Sequence, residues 1–77
     1  MNNERRKRIT ALTNQLTEIK EEIEALQQEE QHAYDNMPEG IQQSERGDNS
    51  EAALGDLEEA AEHCQSAAEA LETATEY

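Results

Sequence analysis

The sequence predicts an all-α protein: an antiparallel two-helix hairpin that joins a second copy in a four-helix bundle or coiled-coil assembly. Apolar residues in the first half of the chain recur in alternating steps of three and four. A corner containing the only proline follows, and after it an alanine-rich stretch repeats the same spacing. A period of 3.5 residues excludes β-strands, in which side chains alternate with a period of two.

The first predicted helix covers about residues 3–36. Asn2 or Asn3 is expected to cap its start, because a short polar side chain can accept a hydrogen bond from the first free backbone N–H groups. Pro38 disfavours helical backbone in the residue before it, so the helix should end near Asn36. Its apolar stripe, a candidate interface, consists of Ile9, Leu12, Leu16, Ile19, Ile23 and Leu26.

The second predicted helix covers about residues 49–75, after a corner at 37–48 that has room for a short helix. Asp48 and Glu51 have the spacing of a capping box. Gly55 lies inside this helix and indicates either close approach of another backbone or a tolerated weakness of about 1 kcal/mol. The corner is longer than most helix–helix loops and is predicted to be structured, the alternative being a functional loop. The larger candidate interface residues of this helix are Leu54, Leu57, Cys64 and Leu71.

Self-association is expected because the predicted hydrophobic core of a single hairpin is small. The 77 residues form one domain, 1–77, with 34% hydrophobic residues and no Phe or Trp. A hairpin of this composition buries too little apolar area to offset the entropy of ordering its chain, so a homodimer is expected. A parallel coiled coil through the first helix alone is the competing arrangement. The first nine residues are predicted to overhang, because the second helix is the shorter one.

Charge divides the chain into two unequal parts. Residues 1–20 carry five basic and two acidic residues, whereas residues 21–77 carry seventeen acidic residues and one basic residue, within a net charge of −13. This balance disfavours direct binding of nucleic acid or an anionic membrane. The acidity either keeps the bundle soluble, which is the simpler interpretation, or contacts a basic partner. The candidate partner-binding charges are Arg5, Arg6, Lys7 and Arg8.

No catalytic, cofactor-binding or metal-binding constellation is predicted. Glu29 and His32 have the spacing of one half of a carboxylate-bridged metal site, but a single such pair is weak evidence in a glutamate-rich chain. His63 and Cys64 are adjacent and therefore point in different directions on a helix. Cys64, the only cysteine, is expected to be a small buried apolar residue. A cytoplasmic location is expected, since no signal-peptide or membrane-spanning run is present.

The corner also carries a resemblance to a known group. Residues 33–47, read as Ala-Tyr-Asp-Asn-Met-Pro-Glu-Gly-Ile-Gln-Gln-Ser-Glu-Arg-Gly, precede an acidic alanine-rich helix. This pattern resembles short acidic helical-hairpin proteins of Gram-positive bacteriophages and integrative elements, over roughly residues 20–75. Gly40 departs from the larger polar residue of that pattern. The resemblance implies a helical hairpin of mobile-element origin and no catalytic activity.

Two functions remain open at the level of sequence. The first is a non-enzymatic structural or protein-interaction module that forms a homodimer and has room for a host or phage partner. The second is an acidic inhibitor that mimics DNA and blocks a host nucleic-acid-binding or defence protein. Its surface would be formed by the carboxylates of Glu21, Glu22, Glu24, Glu29, Glu30, Glu58, Glu59, Glu62, Glu69 and Glu72.

Overall fold

A computed structural model describes all residues from Met1 to Tyr77. The chain forms three helices: α1 (Asn3–Asp35), α2 (Glu39–Gln42) and α3 (Glu45–Ala74). The long helices α1 and α3 run antiparallel, and α2 lies in the corner between them. The predicted all-α hairpin is therefore confirmed. The molecule is a rod of 58 × 14 × 12 Å with a radius of gyration of 17.4 Å, whereas a compact chain of this length would have about 11 Å.

The boundaries of α1 follow from local chemistry. The side chain of Asn2 accepts a hydrogen bond from the backbone N–H of Arg5 at 2.8 Å, so the predicted cap is confirmed at Asn2. At the other end, α1 stops at Asp35 with Asn36 as its C-cap, two residues before Pro38. The backbone N–H of Met37 donates to the carbonyl of Tyr34 at 3.0 Å and closes the last turn.

The start of α3 differs from the prediction. The helix begins at Glu45, about one turn earlier than expected, and its N-cap is Ser44 rather than Asp48. The Ser44 hydroxyl donates to the carbonyl of Ile41 and makes no side-chain cap. Gly47 is buried inside the first turn of α3, where its missing Cβ lets the backbone of Gln42 approach. Gly47 therefore allows α2 and α3 to pack closely.

The predicted overhang of the first nine residues is wrong. The Met1 ammonium group donates to the carbonyl of Tyr77 at 2.9 Å, and Arg6 Nε donates to the carbonyl of Thr75 at 3.0 Å. With the earlier start of α3, the long helices contain 33 and 30 residues. The two chain termini therefore meet at one end of the rod, which we call the open end, opposite the corner.

The hairpin alone has almost no core. Ala61 and Ala68, each 7% exposed, are the only buried apolar residues, and no side chain is fully buried. The accessible surface is 5701 Å², while a compact monomer of this mass would expose about 4,700 Å². The hairpin thus exposes roughly 1,000 Å² more than a compact monomer would.

Gly55 provides a test of helix packing. A Cβ added at this position would have no neighbour within 4 Å in the chain, so the idea of a close backbone approach within the hairpin is wrong. Gly55→Ala is therefore expected to raise the free energy of unfolding by about 1 kcal/mol, because alanine favours helix over glycine. Urea denaturation followed by circular dichroism measures this change. A decrease in the free energy of unfolding would contradict the absence of neighbouring atoms around a Cβ at residue 55.

Candidate functional site

The contact between α1 and α3 uses only part of the predicted apolar stripe. One row of α1 in the seam consists of Ile9, Leu16 and Ile23, all partly buried. The second row in the seam is polar and lies one residue further along than the predicted row Leu12, Ile19 and Leu26. We call it the polar row; it consists of Arg6, Thr13, Lys20, Gln27 and Tyr34.

Contacts across the seam explain why polar residues are accepted there. Lys20 Nζ donates to Gln65 Oε1 at 3.0 Å, and the hydroxyl of Ser50, which is 6% exposed, donates to Glu30 Oε1 at 2.6 Å. The hydroxyl of Thr13, a residue that is 8% exposed, donates to the carbonyl of Ile9 in the same helix at 3.1 Å. No buried side-chain polar atom lacks a partner. Burying a polar atom that has no hydrogen-bond partner is costly, and no polar side chain in the seam bears this cost.

Near the corner, the polar row ends in an exposed hydrogen bond. The hydroxyl of Tyr34 donates to Glu51 Oε1. This bond, which holds the proton on the phenol, raises the pKa of Tyr34 above its ordinary value, with smaller contributions from burial and from the charge of Glu51. The carbonyl of Tyr34 accepts from Gln42 Nε2 at 2.8 Å. These bonds attach both α2 and α3 to the end of α1.

On α3, two rows of residues face α1. Leu54, Ala61 and Ala68 form one row and contain the only buried apolar side chains. The other row, Leu57, Cys64 and Leu71, is partly buried. Cys64 is a free thiol within that row.

A further apolar surface lies along one side of the hairpin and is only partly covered. On α1, Leu12 is 49% exposed, Ile19 47% and Leu26 53%. Each lies one residue before the polar row. On α3, an alanine row lies one residue before the row with Leu54; Ala67 in this row is exposed, and its other three alanines are partly buried. Because the helices are antiparallel, these equivalent rows lie on the same side of the pair. The apolar face thus consists of Leu12, Ile19, Leu26, Ala53, Ala60, Ala67 and Ala74.

Basic residues border the apolar face at the open end. Met1, Arg5, Arg8, Ile9 and Leu12 line a shallow groove there. Arg6 is bonded to the carbonyl of Thr75, but none of the six Lys and Arg residues lies within 4.0 Å of a carboxylate. Between side chains, the one contact within salt-bridge distance joins His63 Nε2 to Glu59 Oε1 at 3.3 Å. The cations beside the apolar face therefore have no carboxylate partner within the hairpin.

The remaining candidates for chemistry are dispersed. No group of three or more His, Cys, Asp or Glu side chains is placed to hold a metal ion. His32 is exposed on α1, and His63 is exposed on α3 beside Glu59. No helix combines the length and apolar character needed to cross a membrane.

Comparisons with protein-family models, with curated proteins and with solved structures found no match to this chain. The candidate site is therefore defined by geometry alone. It is an apolar face that extends about 21 Å along α1 and about 32 Å along α3, within a rod of 58 Å, with unpaired basic residues near the open end.

Proposed function

We propose that this chain is a non-enzymatic protein-interaction module that dimerises through the apolar face into a four-helix bundle. The observation that carries the proposal is the exposure of Leu12, Ile19 and Leu26 at about half of their surface. Two apolar rows per helix are enough for a two-stranded coiled coil, whereas a third row is typical of helices with two neighbours in a bundle. In this hairpin α3 has such a third apolar row, and on the same side α1 leaves one of its two apolar rows outside the seam.

The surface area supports a partner of similar size. The roughly 1,000 Å² by which the hairpin exceeds a compact monomer compares with about 800 Å² buried per partner in a standard protein interface. A second copy is the simplest occupant, since most soluble oligomers are symmetric and use the same patch on both subunits. The acidic outer surface would keep such a bundle soluble.

Two features of the proposal rest on the sequence. The resemblance of the corner, residues 33–47, supports a phage or mobile-element origin. The single free thiol of Cys64 supports a cytoplasmic location, where thiols stay reduced. A host or phage protein that binds the finished bundle belongs to the same proposal.

The second candidate function is an acidic inhibitor that mimics DNA. The observation in its favour is that most carboxylates lie exposed and unpaired along a 58 Å rod. Glu30 is removed from that surface, because it is partly buried and accepts the hydrogen bond from Ser50. The mimic does not require the apolar face, so the two functions can be separated experimentally.

Salt dependence tests the two functions against each other. Dimerisation through the apolar face is expected to change less than about tenfold in Kd between about 0.05 and 0.5 M NaCl, because the contacts are apolar and salt screens the repulsion between the copies. A DNA mimic is expected to lose about 10³-fold or more of its affinity for a basic nucleic-acid-binding protein between about 0.05 and 0.2 M salt. Sedimentation equilibrium measures the first quantity, and competition against DNA measures the second.

A further inference from the structure

The charges beside the apolar face change sign along α1. Arg8, Gln15, Glu22 and Glu29 follow one another at intervals of seven residues, so they lie in one line on the helix, and all four are exposed. This line, which we call the flanking line, borders the row formed by Leu12, Ile19 and Leu26 on the side away from α3. It is basic at the open end and acidic toward the corner.

We propose that the second copy packs with its α1 antiparallel to this α1, with Ile19 near the two-fold axis. This inference rests on the proposed dimer and specifies its geometry. Ile19 is the middle of three equally spaced apolar residues, so reversal of direction about it places Leu12 opposite Leu26 of the second copy. The same reversal brings Arg8 beside Glu29 of the second copy. The two alanine rows of α3 then pack against each other across the bundle.

Charge selects this orientation over the alternative. A two-fold axis parallel to the helices would place α1 against α3 of the second copy and bring both open ends together. The clusters formed by Arg5–Arg8 would then be neighbours, as would both acidic corners. In the antiparallel arrangement, each basic end lies beside the acidic half of the other α1. Arg8 and Glu29 form no hydrogen bond or salt bridge within the hairpin, so both are free to pair across the interface.

Cross-linking tests the orientation directly. In a Cys64→Ala background, Ile19→Cys is expected to form an intermolecular disulfide under mild oxidation, because two Cα atoms near the axis can approach within the roughly 7 Å that a disulfide spans. Leu12→Cys is the matched control, since its two copies would be about 20 Å apart along antiparallel helices. Non-reducing electrophoresis and circular dichroism report the cross-link and the helical fold. Equal cross-linking of both variants would overturn the orientation.

Charge exchange provides a second test in solution. Arg8→Glu and Glu29→Arg are each expected to raise the dimer Kd about three- to tenfold, because each creates two like-charge contacts in the symmetric dimer. The double variant restores opposite charges and should return the Kd to within about threefold of the original. Failure of the double variant to recover would contradict the pairing.

The two proposals fail in distinguishable ways. A Cys64→Ala chain that sediments as a folded monomer would overturn both the dimer and its geometry. A dimer in which Ile19→Cys forms no cross-link would overturn the geometry alone.

Discussion

Ile19→Asp is expected to convert the dimer into monomers, with an increase in Kd of about 10³-fold or more. Near the two-fold axis, the substitution would bury two carboxylates against each other without partners, which costs several kcal/mol. Within one hairpin, Ile19 is 47% exposed, so a chain that functioned as a monomer would tolerate the change far better. Sedimentation velocity measures the shift in mass.

Asn14→Asp is the matched control for this substitution. It adds the same charge to the same helix at an exposed position about 140° around the helix from Ile19. The control is expected to remain dimeric. A dimer that survives Ile19→Asp would show that the apolar face is not the interface.

Gly47→Ala is expected to lower the free energy of unfolding by roughly 2–4 kcal/mol. A Cβ at this position would overlap the carbonyl group of Gln42 and lie 2.7 Å from its Cα. These are backbone atoms, which cannot turn aside as a flexible side chain can. The corner would have to open, which would disturb the hydrogen bond from Gln42 Nε2 to the carbonyl of Tyr34. Urea denaturation followed by circular dichroism gives the change.

Gly40→Ala is the matched control in the same corner. A Cβ there meets nothing within 4 Å, so the same chemical change should be neutral or slightly stabilising. Equal losses at both glycines would contradict the close packing of α2 and α3.

The sequence was sufficient to predict both long helices and the corner. The 3.5-residue spacing from Ile9 to Leu26 and the position of Pro38 are local signals, and the end of α1 follows from them. The start of α3 was not predictable in the same way. Asp48 and Glu51 have cap spacing, but the contact between Gly47 and Gln42 depends on how α2 folds back, which local sequence does not encode.

The sequence also did not predict which two rows of α1 contact α3. Three neighbouring rows of α1 were available, and the two most apolar rows, which contain Leu16 and Ile19, were the natural pair. The structure instead places Thr13 and Lys20 beside the row with Leu16. Thr13 donates within its own helix to the carbonyl of Ile9, but Lys20 donates to Gln65, an acceptor that is distant in sequence. The sequence does contain one indication of the observed seam, which is the regular seven-residue spacing of the polar row from Arg6 to Tyr34. This spacing can be interpreted only when the register of α3 is known.

The mass of the unmodified protein in solution tests the central claim most directly. Sedimentation equilibrium at about 10 µM protein is expected to give twice the 8.7 kDa of one chain. The Tm should rise with protein concentration, because association stabilises the folded state by mass action. A mass of 8.7 kDa with a Tm independent of concentration would contradict it.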